Sequence, residues 1–495
     1  MSTPPTPQLP PLVQQVCHAL PAGHALYLVG GAVRDLLLNR GVHDLDFVVP
    51  GPAIPLARKL ANALGGHFYP LDAARDAGRV LLPDQHAALD FITLQGGSLA
   101  EDLAQRDFTI NAMALSLPDA TLHDPLGGAA DLRAKSLRMA GLQAFHTDPI
   151  RILRAVRMAA SFGLQIEPQT RQALRAAVPQ LGQVSAERQR DELLRLLQAP
   201  KPATSLRALD LFGALSILLP ELGPLKGLGQ SAPHIYDVWE HSLQVVDKLG
   251  LVFSALDDAY PAEGVGELVS GLTVLRLGRF RNAISQHLAA EAVPGRPRRA
   301  LLLLGALLHD AGKALTRSVE PGGRIRFFEH EVRGAELAVA RAQALHFSNG
   351  EVEYLHTLIS QHMRPFLLTQ VGTPPSRRAI YRFFEASGPV GVDVCLLALA
   401  DLLGKRGPHV DEPELTATLD TLRALLAGYY EQAEEVVSPP ALLNGNDLMT
   451  ELGLKPGRKV GEILKALREA QAMGKVPDRD AALAFARQQV RSGQN

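Results

Sequence analysis

Residues Ala25 to Val49 read ALYLVGGAVRDLLLNRGVHDLDFVV. An apolar run meets a Gly30-Gly31 turn, Arg34 and Asp35 open a short helix, and Asp44 and Asp46 flank Leu45 in a second apolar run. A strand sends alternate side chains to one face, so this spacing predicts Asp44 and Asp46 on the same side. Two carboxylates so placed repel unless a cation lies between them, and hard oxygen donors suit Mg²⁺. A Gly-Gly turn lets the backbone approach a phosphate, and the helix after it offers free N–H groups. The segment therefore predicts a triphosphate cradle beside a metal site. The G-x-G-x-x-G spacing of a dinucleotide-binding turn is absent. Gly-Gly after a strand is common, and Asp-x-Asp is often a solvated strand face. Two acids among Leu45, Phe47, Val48 and Val49 suit a site better than a bare surface.

The rest of the chain is too long for one core. At 495 residues, three or four domains are expected. Hydrophobic residues make up 46% and charged ones 20%, the balance of a globular protein, while aromatics at 5% favour helices over sheets. The formal net charge is -1, so a nucleic-acid partner must meet a local basic patch. Cys17 and Cys395 provide neither a disulfide framework nor a cysteine-rich metal site. The opening MSTPPTPQLPPL lacks the basic start and apolar core of a signal peptide. The apolar run Ala300 to Leu308 is too short to span a bilayer. A reducing cytoplasm and no membrane partner are expected.

Strands are predicted at 25–29, 44–49, 79–82 and 88–94. After Asp148 helical periodicity dominates, as in ILRAVRMAASFGL and AERQRDELLRLLQ. Pro and Gly clusters at 199–202, 220–233, 293–297 and 438–446 punctuate the helices. The segment 251–300 is ambiguous, with a mobile loop expected around Pro261 to Gly264. The fold class is α+β.

Two further segments carry chemistry. The first is EDLAQRDFTINAMA, Glu101 to Ala114. Taken alone, Asp107 or Thr109 reads equally well as a helix cap and Arg106 as a surface charge. The second is DPIRILRAVR, Asp148 to Arg157. Asp148 is a natural N-cap with Pro149 at the first helical position. Asp148 and Arg151 are three apart and so neighbours, and Arg154 and Arg157 continue a basic row.

In order and spacing, G-G-A-V-R-D with D-L-D, then R-D-F-T-I-N-A, then D-P-I-R-I-L-R-A-V-R resemble the class II tRNA nucleotidyltransferases and the related bacterial poly(A) polymerases. The resemblance covers about 25 to 200. It implies a small mixed-sheet, polymerase-β-like head at 1–145 and a helical neck at 146–225. Asp44 and Asp46 would hold two Mg²⁺ ions that align a tRNA 3′ hydroxyl with the α-phosphate. Gly30, Gly31, Arg34, Arg106, Arg154 and Arg157 would bind the nucleotide, and Asp90 would be a third carboxylate near the metals. Asp148 and Arg151 would serve as a protein template for the base. Cytosine and adenine each offer an exocyclic amine beside a ring-nitrogen acceptor, which a carboxylate and a guanidinium complement. Uracil and guanine present the reverse pattern.

Two departures matter. The family's usual Glu before the template Asp is Thr147 here. CCA-adding members also carry a flexible loop ahead of the R-D-F-T motif that switches the pocket from CTP to ATP. Here Leu89 to Leu99 runs straight into Glu101, and loss of that loop is associated with members that add two cytidines and leave the adenosine to a separate A-adding enzyme. The resemblance thus points to CC addition from CTP. The alternatives are full CCA or A addition using ATP, then poly(A) polymerase or a metal-dependent phosphohydrolase.

The second half holds His241, His309-Asp310, His330, His362 and Asp401. Dispersed His and Asp donors suit a divalent transition metal. The set, with L-L-H-D-A-G-K at 307–313, resembles the HD phosphohydrolase domain over about 234 to 405. His241, His309, Asp310 and Asp401 would be its four ligands, His330 and His362 would hold a second ion, and hydrolysis of a phosphoester would be open to it. The domain is expected at 226–435. A helical tail at 436–495 resembles the tRNA-binding tail of the same families. Its Gly453 to Arg458 segment reads as a helix-connecting turn or a phosphate contact.

Overall fold

The computed structural model describes residues 8–42, 44–82, 87–257, 268–369, 374–407 and 410–492. The loop expected around Pro261 lies outside them. The chain packs as two compact units, Met1–Arg188 with Ala208–Ile217, and Gln189–Arg207 with Leu218–Asn495.

The first unit is built on a mixed sheet. In chain order its elements are α1 (Pro11–Ala19), β1 (Leu26–Val29), α2 (Gly31–Leu37), β2 (Asp44–Val49), α3 (Ala53–Leu64), β3 (His67–Asp72), β4 (Ala77–Leu82) and β5 (Ala87–Thr93). There follow α4 (Leu99–Ala104), β6 (Ala114–Leu117), β7 (Thr121–His123), α5 (Gly128–Arg133), α6 (Ala144–Thr147), α7 (Arg151–Phe162), α8 (Pro168–Ala177) and α9 (Ala186–Leu197), the last running past the boundary into the second unit. Strand order is β3-β4-β5-β2-β1-β6-β7. Only the central β2–β5 pair among them is parallel.

Alternation along β2 decides which face does what. Leu45, Phe47 and Val49 are buried with Val13, Val33, Leu56 and Leu60 from α1, α2 and α3. Phe47 stacks on Phe91 of the parallel neighbour at 4.9 Å between centroids. Val48 turns to the other face and packs with Val29, Leu103 and Ala112. Asp46 shares the side of Val48 by the strand period of two and is exposed.

Within this sheet the structure adds strands β3, β6 and β7 to the four expected. β3 reads HFYPLD, whose central proline and mostly exposed residues hide a strand at the sheet edge. β6 and β7 are four and three residues long, too short for alternation to register. Helix α7 begins at Arg151 with Ile150 as its N-cap, not with Asp148 as cap and Pro149 first. The Asp148 carboxylate takes another partner, described below.

In the second unit, helices Val238–Ala255, Arg298–Leu308, His330–Ala344, Asn349–Gln361 and Gly391–Gly404 carry the histidine constellation. The apolar helix does stop just short of His309-Asp310. A Cβ on Gly312 would lie 2.1 Å from the carbonyl oxygen of His330, so only glycine lets these two segments meet. The stretch Arg377–Gly404 is long and apolar enough for a membrane span by composition, yet its apolar window is 78% buried within the protein. Every residue of Gly391–Gly404 is buried, which marks a core helix. Helices Gly445–Leu452, Arg458–Ala472 and Arg479–Ser492 enclose a separate apolar cluster around Leu448, Ile463 and Leu467. Gly453 closes the first of them in the left-handed conformation, and Arg458 pairs with Glu462 one turn on. The segment is thus a helix-connecting turn.

Candidate active site and metal centre

Strand register lines up Val29, Asp46, Asp90 and Arg79 across four adjacent strands. Residues opposed in this way share a face, so Asp90 stands directly beside Asp46. The turn approaches the same place. Gly30 has φ 72° and ψ -136°, a conformation that glycine alone adopts readily. A Cβ there would lie 3.2 Å from Arg106 Nη1 and 3.7 Å from Asp46 Oδ2. Turn, carboxylate and guanidinium therefore converge. Arg106 donates from Nη2 to Asp102 at 3.2 Å, and buried Asp102 also accepts from the Gln95 N–H at 3.0 Å. Asp102 escaped the sequence reading, although its i,i+4 spacing from Arg106 was legible.

Asp90 already has a cationic partner. Arg79 clasps it with Nε and Nη2 at 2.5 and 2.6 Å. The paired carboxylate raises the Arg79 guanidinium above its already high ordinary value. An acid neutralised in this way is a poor third ligand. Asp90→Asn should keep nucleotide addition within about threefold of the parent, well inside the tenfold that ~1.4 kcal/mol represents. A steady-state rate comparison checks this, and a loss as deep as that from removing Asp46 would make Asp90 a ligand after all.

Beside this row opens a cleft of about 900 Å³, lined among others by Arg75, Gln95, Arg106, Asp148, Arg151 and Arg188. It falls within the size range of small-molecule sites. Its wall carries four arginines against the aspartates Asp102 and Asp148, an excess of positive charge suited to a polyphosphate. Arg151 donates from Nη1 to the carbonyls of Arg106 and Ala144, at 3.1 and 3.3 Å, and from Nη2 to that of Gln105, at 2.9 Å. Its Nε–H is not used in these bonds. Arg188 of α9 holds Asp148 Oδ2 at 2.8 Å. Thr147 bonds back to the Gln143 carbonyl within its own helix and touches neither. The sequence reading missed Arg188, which lies forty residues from its partner with no local spacing to flag it.

The other expected nucleotide ligands sit differently. Arg34 is 7% exposed. Nε and Nη2 engage its neighbour Asp35 at 2.9 and 3.0 Å, Nη1 donates to Asn111 at 2.7 Å, and its guanidinium lies 4.1 Å from the Phe162 ring centroid. It braces α2 against α7 in place of reaching outward. Gly31 packs 3.3 Å from that guanidinium, measured from where a Cβ would be. Arg154 forks onto Asp107 Oδ2 at 2.9 and 2.6 Å. Arg157 is half-buried on the same helix, and neither it nor Arg154 is among the residues lining the cleft.

In the second unit the histidines do converge. Asp310 stands between two groups. Its Oδ2 lies 3.6 Å from His241 Nε2 and 3.3 Å from His309 Nε2, while its Oδ1 lies 3.4 Å from His330 Nε2. Asp401 Oδ1 is 3.1 Å from His241 Nε2, and His330 and His362 bring their Nε2 atoms to 3.3 Å. All six are buried. The close approaches of His241 Nε2, His309 Nε2 and Asp401 Oδ1 are not aligned as hydrogen bonds, and His241 Nδ1 has no partner. Buried polar atoms normally find one, and this set could hold a bound ion. Burial pushes the His362 imidazole down to about 3, which keeps it neutral and able to ligate. Burial would raise the Asp310 and Asp401 carboxyls, but their cationic and histidine neighbours hold both well below the ordinary range. Lys313 supplies part of that field at Asp310, bonding Oδ2 at 2.7 Å. Lys405 does so at Asp401.

Four family models match along the chain. The poly A polymerase head domain matches residues 26–96 and 79–138. The RNA and SrmB-binding site of polymerase A matches 163–225, the HD domain 238–404, and domain 2 of the tRNA nucleotidyltransferases 422–486. An A-adding tRNA nucleotidyltransferase of Deinococcus radiodurans is 35% identical over 97% of this chain and 96% of its own. A CC-adding tRNA nucleotidyltransferase of Thermus thermophilus is 34% identical over 92% of each. A CCA-adding enzyme solved with CTP shares the fold, with a TM-score of 0.61 at 20% identity over 97% of this chain and 96% of its own.

Proposed function

The chain belongs to the tRNA nucleotidyltransferase family, and on that premise we propose that it adds two cytidines from CTP to the 3′ end of tRNA and stops. The observation that carries this reading is the connection from β5 to α4. It spans only residues 94–98, and it is tied down. Gln95 N–H donates to Asp102 at 3.0 Å, Gly97 N–H to Glu101 at 2.7 Å, and Ser98 caps α4 through the Glu101 N–H at 3.3 Å. A wall so short and so bonded supports a cleft of one shape, where a pocket that exchanged CTP for ATP would have to be remade between additions.

The residues divide the work. Asp44 and Asp46 are the ligands for Mg²⁺, which when bound would neutralise the triphosphate and favour attack by the 3′ hydroxyl. Arg106, aimed by Asp102, stands where the phosphates would pass the Gly30 turn. Asp148 accepts from the exocyclic amine of the base and Arg151 donates to its ring nitrogen, each oriented by a protein partner in the absence of any nucleic-acid template. Arg188 and the three carbonyls take over the orienting task that an acid at Thr147 would otherwise share. Cys17 and Cys395 are free thiols, in keeping with a reducing cytoplasm.

The identity to an A-adding relative favours a second reading, in which the same cleft accepts ATP onto a tRNA already ending in CC. The two differ in product. Given CTP and ATP together with tRNA lacking its terminal CCA, we expect two cytidines and no adenosine, read as product length on a denaturing gel. For the second unit we propose two divalent transition-metal ions sharing Asp310, with phosphoester hydrolysis as the activity they would support.

A further inference from the structure

The metal centre has a neighbour that the sequence reading passed over. His234 lies in the loop before helix Val238–Ala255, half-buried. Its ligand atom lies within 4.8 Å of those of His241 and Asp401. Its ring meets His241 edge-on at 5.1 Å between centroids.

Three of the histidines at the centre share one hydrogen-bonding pattern, while His241 Nδ1 has no partner. His309 Nδ1 contacts the Ala306 carbonyl at 2.8 Å, His330 Nδ1 that of Phe327 at 2.8 Å, and His362 Nδ1 that of Ile359 at 2.6 Å. Each uses the carbonyl three residues earlier. That bond places the proton on Nδ1 and turns a lone pair on Nε2 toward the centre, the usual way a protein orients a histidine ligand. His234 repeats the pattern, Nδ1 to the Ser231 carbonyl, at a longer 3.4 Å. Histidines away from the centre do not: His18 uses a carbonyl four residues back and His24 one two back. The loop is pinned on both sides, Ser231 Oγ accepting from the Ile325 N–H at 2.7 Å and Ile235 N–H donating to the Lys405 carbonyl at 3.2 Å. His234 is therefore fixed over Asp401 and His241.

We propose that His234 is a metal ligand of this centre, completing the donor set on the His241–Asp401 side of Asp310. The inference rests on the reading of the second unit as a metal centre. It makes the two sides unequal. On one side lie two triads that share His241, His234 with His241 and Asp401, and His241 with His309 and Asp310, and on the other lies the triad of Asp310, His330 and His362. The first side holds its ion tightly and closed, while the second leaves coordination positions for water or substrate.

The test is Co²⁺ binding to the full chain after chelator treatment, followed by calorimetry and visible absorption, in the parent, His234→Ala and His234→Gln. Matching thermal unfolding of the metal-free proteins shows that the variants fold, and the glutamine variant serves if alanine perturbs the loop. The parent should show two affinity classes. Both substitutions should weaken the tighter class about tenfold or more and change its absorption band. Unchanged affinity and spectrum in the variants would overturn the role of His234 alone. A parent that binds no Co²⁺ in this unit, judged against His309→Ala, would overturn the metal centre itself and this inference with it.

Discussion

Asp46→Ala is expected to lower nucleotide addition at least about a thousandfold while tRNA affinity stays unchanged. A metal that stabilises charge at the reacting phosphate is worth several kcal/mol, and each ~1.4 kcal/mol is a factor of ten. Asp46 has the position for that task. It is exposed on the sheet face opposite the core of Phe47 and Leu45, with the Gly30 turn and Arg106 beside it. Its neighbour by register, Asp90, is committed to Arg79 and cannot substitute without giving up two charged hydrogen bonds. Replacing an exposed strand carboxylate should also leave the fold intact, so lost activity would not be lost protein. Single-turnover addition and a filter-binding titration on the same preparation measure the two quantities. Retained synthesis would remove Asp46 from metal binding.

Asp107→Ala should cost the first unit about 3 kcal/mol and lower its unfolding midpoint by roughly 6–12 °C. Asp107 is 7% exposed. It accepts two bonds from Arg154, one from Asn111 at 3.0 Å and one from its own Phe108 N–H at 2.8 Å. Asn111 is in turn held by Arg34, so one chain of contacts joins α2, the Asp107–Asn111 segment and α7. Removing the acid takes two bonds from Arg154 and one from Asn111. Arg154 remains 32% exposed, which places the cost at the lower end for a broken buried pair. Burial alone would raise the Asp107 carboxyl, but Arg154, Asn111 and the Phe108 N–H hold it below its ordinary value. A group depressed in the folded state contributes fully above its unfolded value and loses that contribution as pH falls through the folded one. The penalty of the substitution should therefore be full at neutral pH and shrink in acid. Thermal unfolding at several pH values checks both, and a loss below ~1 kcal/mol at neutral pH would reduce the network to a surface pair.

These two positions mark where sequence reading succeeds and where it ends. The strand carrying Asp46, the Gly30 turn and the order of the three motifs are local, because strand period and turn chemistry are written in adjacent residues, while the Asp44 side chain lies outside those described. The second-unit histidines and aspartates were equally legible from residue type, and His241, His309, His330, His362 and Asp401 do gather with Asp310 in one buried cluster. What stayed hidden depends on register and distance. Arg79 meets Asp90 only because β4 pairs antiparallel with β5 in one register, and Arg188 meets Asp148 only because α9 returns to the cleft. Arg34 and Arg154, basic residues in a phosphate-binding context, read as ligands from type alone. Arg34 is buried and bonded to Asn111, and half-buried Arg154 is bonded to Asp107, so both brace the fold.

The central claim is that one protein-walled cleft chooses cytidine and then stops. The most direct measurement is the length of product made on a tRNA lacking its terminal CCA, with CTP alone, ATP alone, and both. Extension by two cytidines with CTP, by the same two and no more with both nucleotides, and by nothing with ATP is the predicted result. A full CCA end from the mixture, or adenosine joined to tRNA already ending in CC, would contradict it.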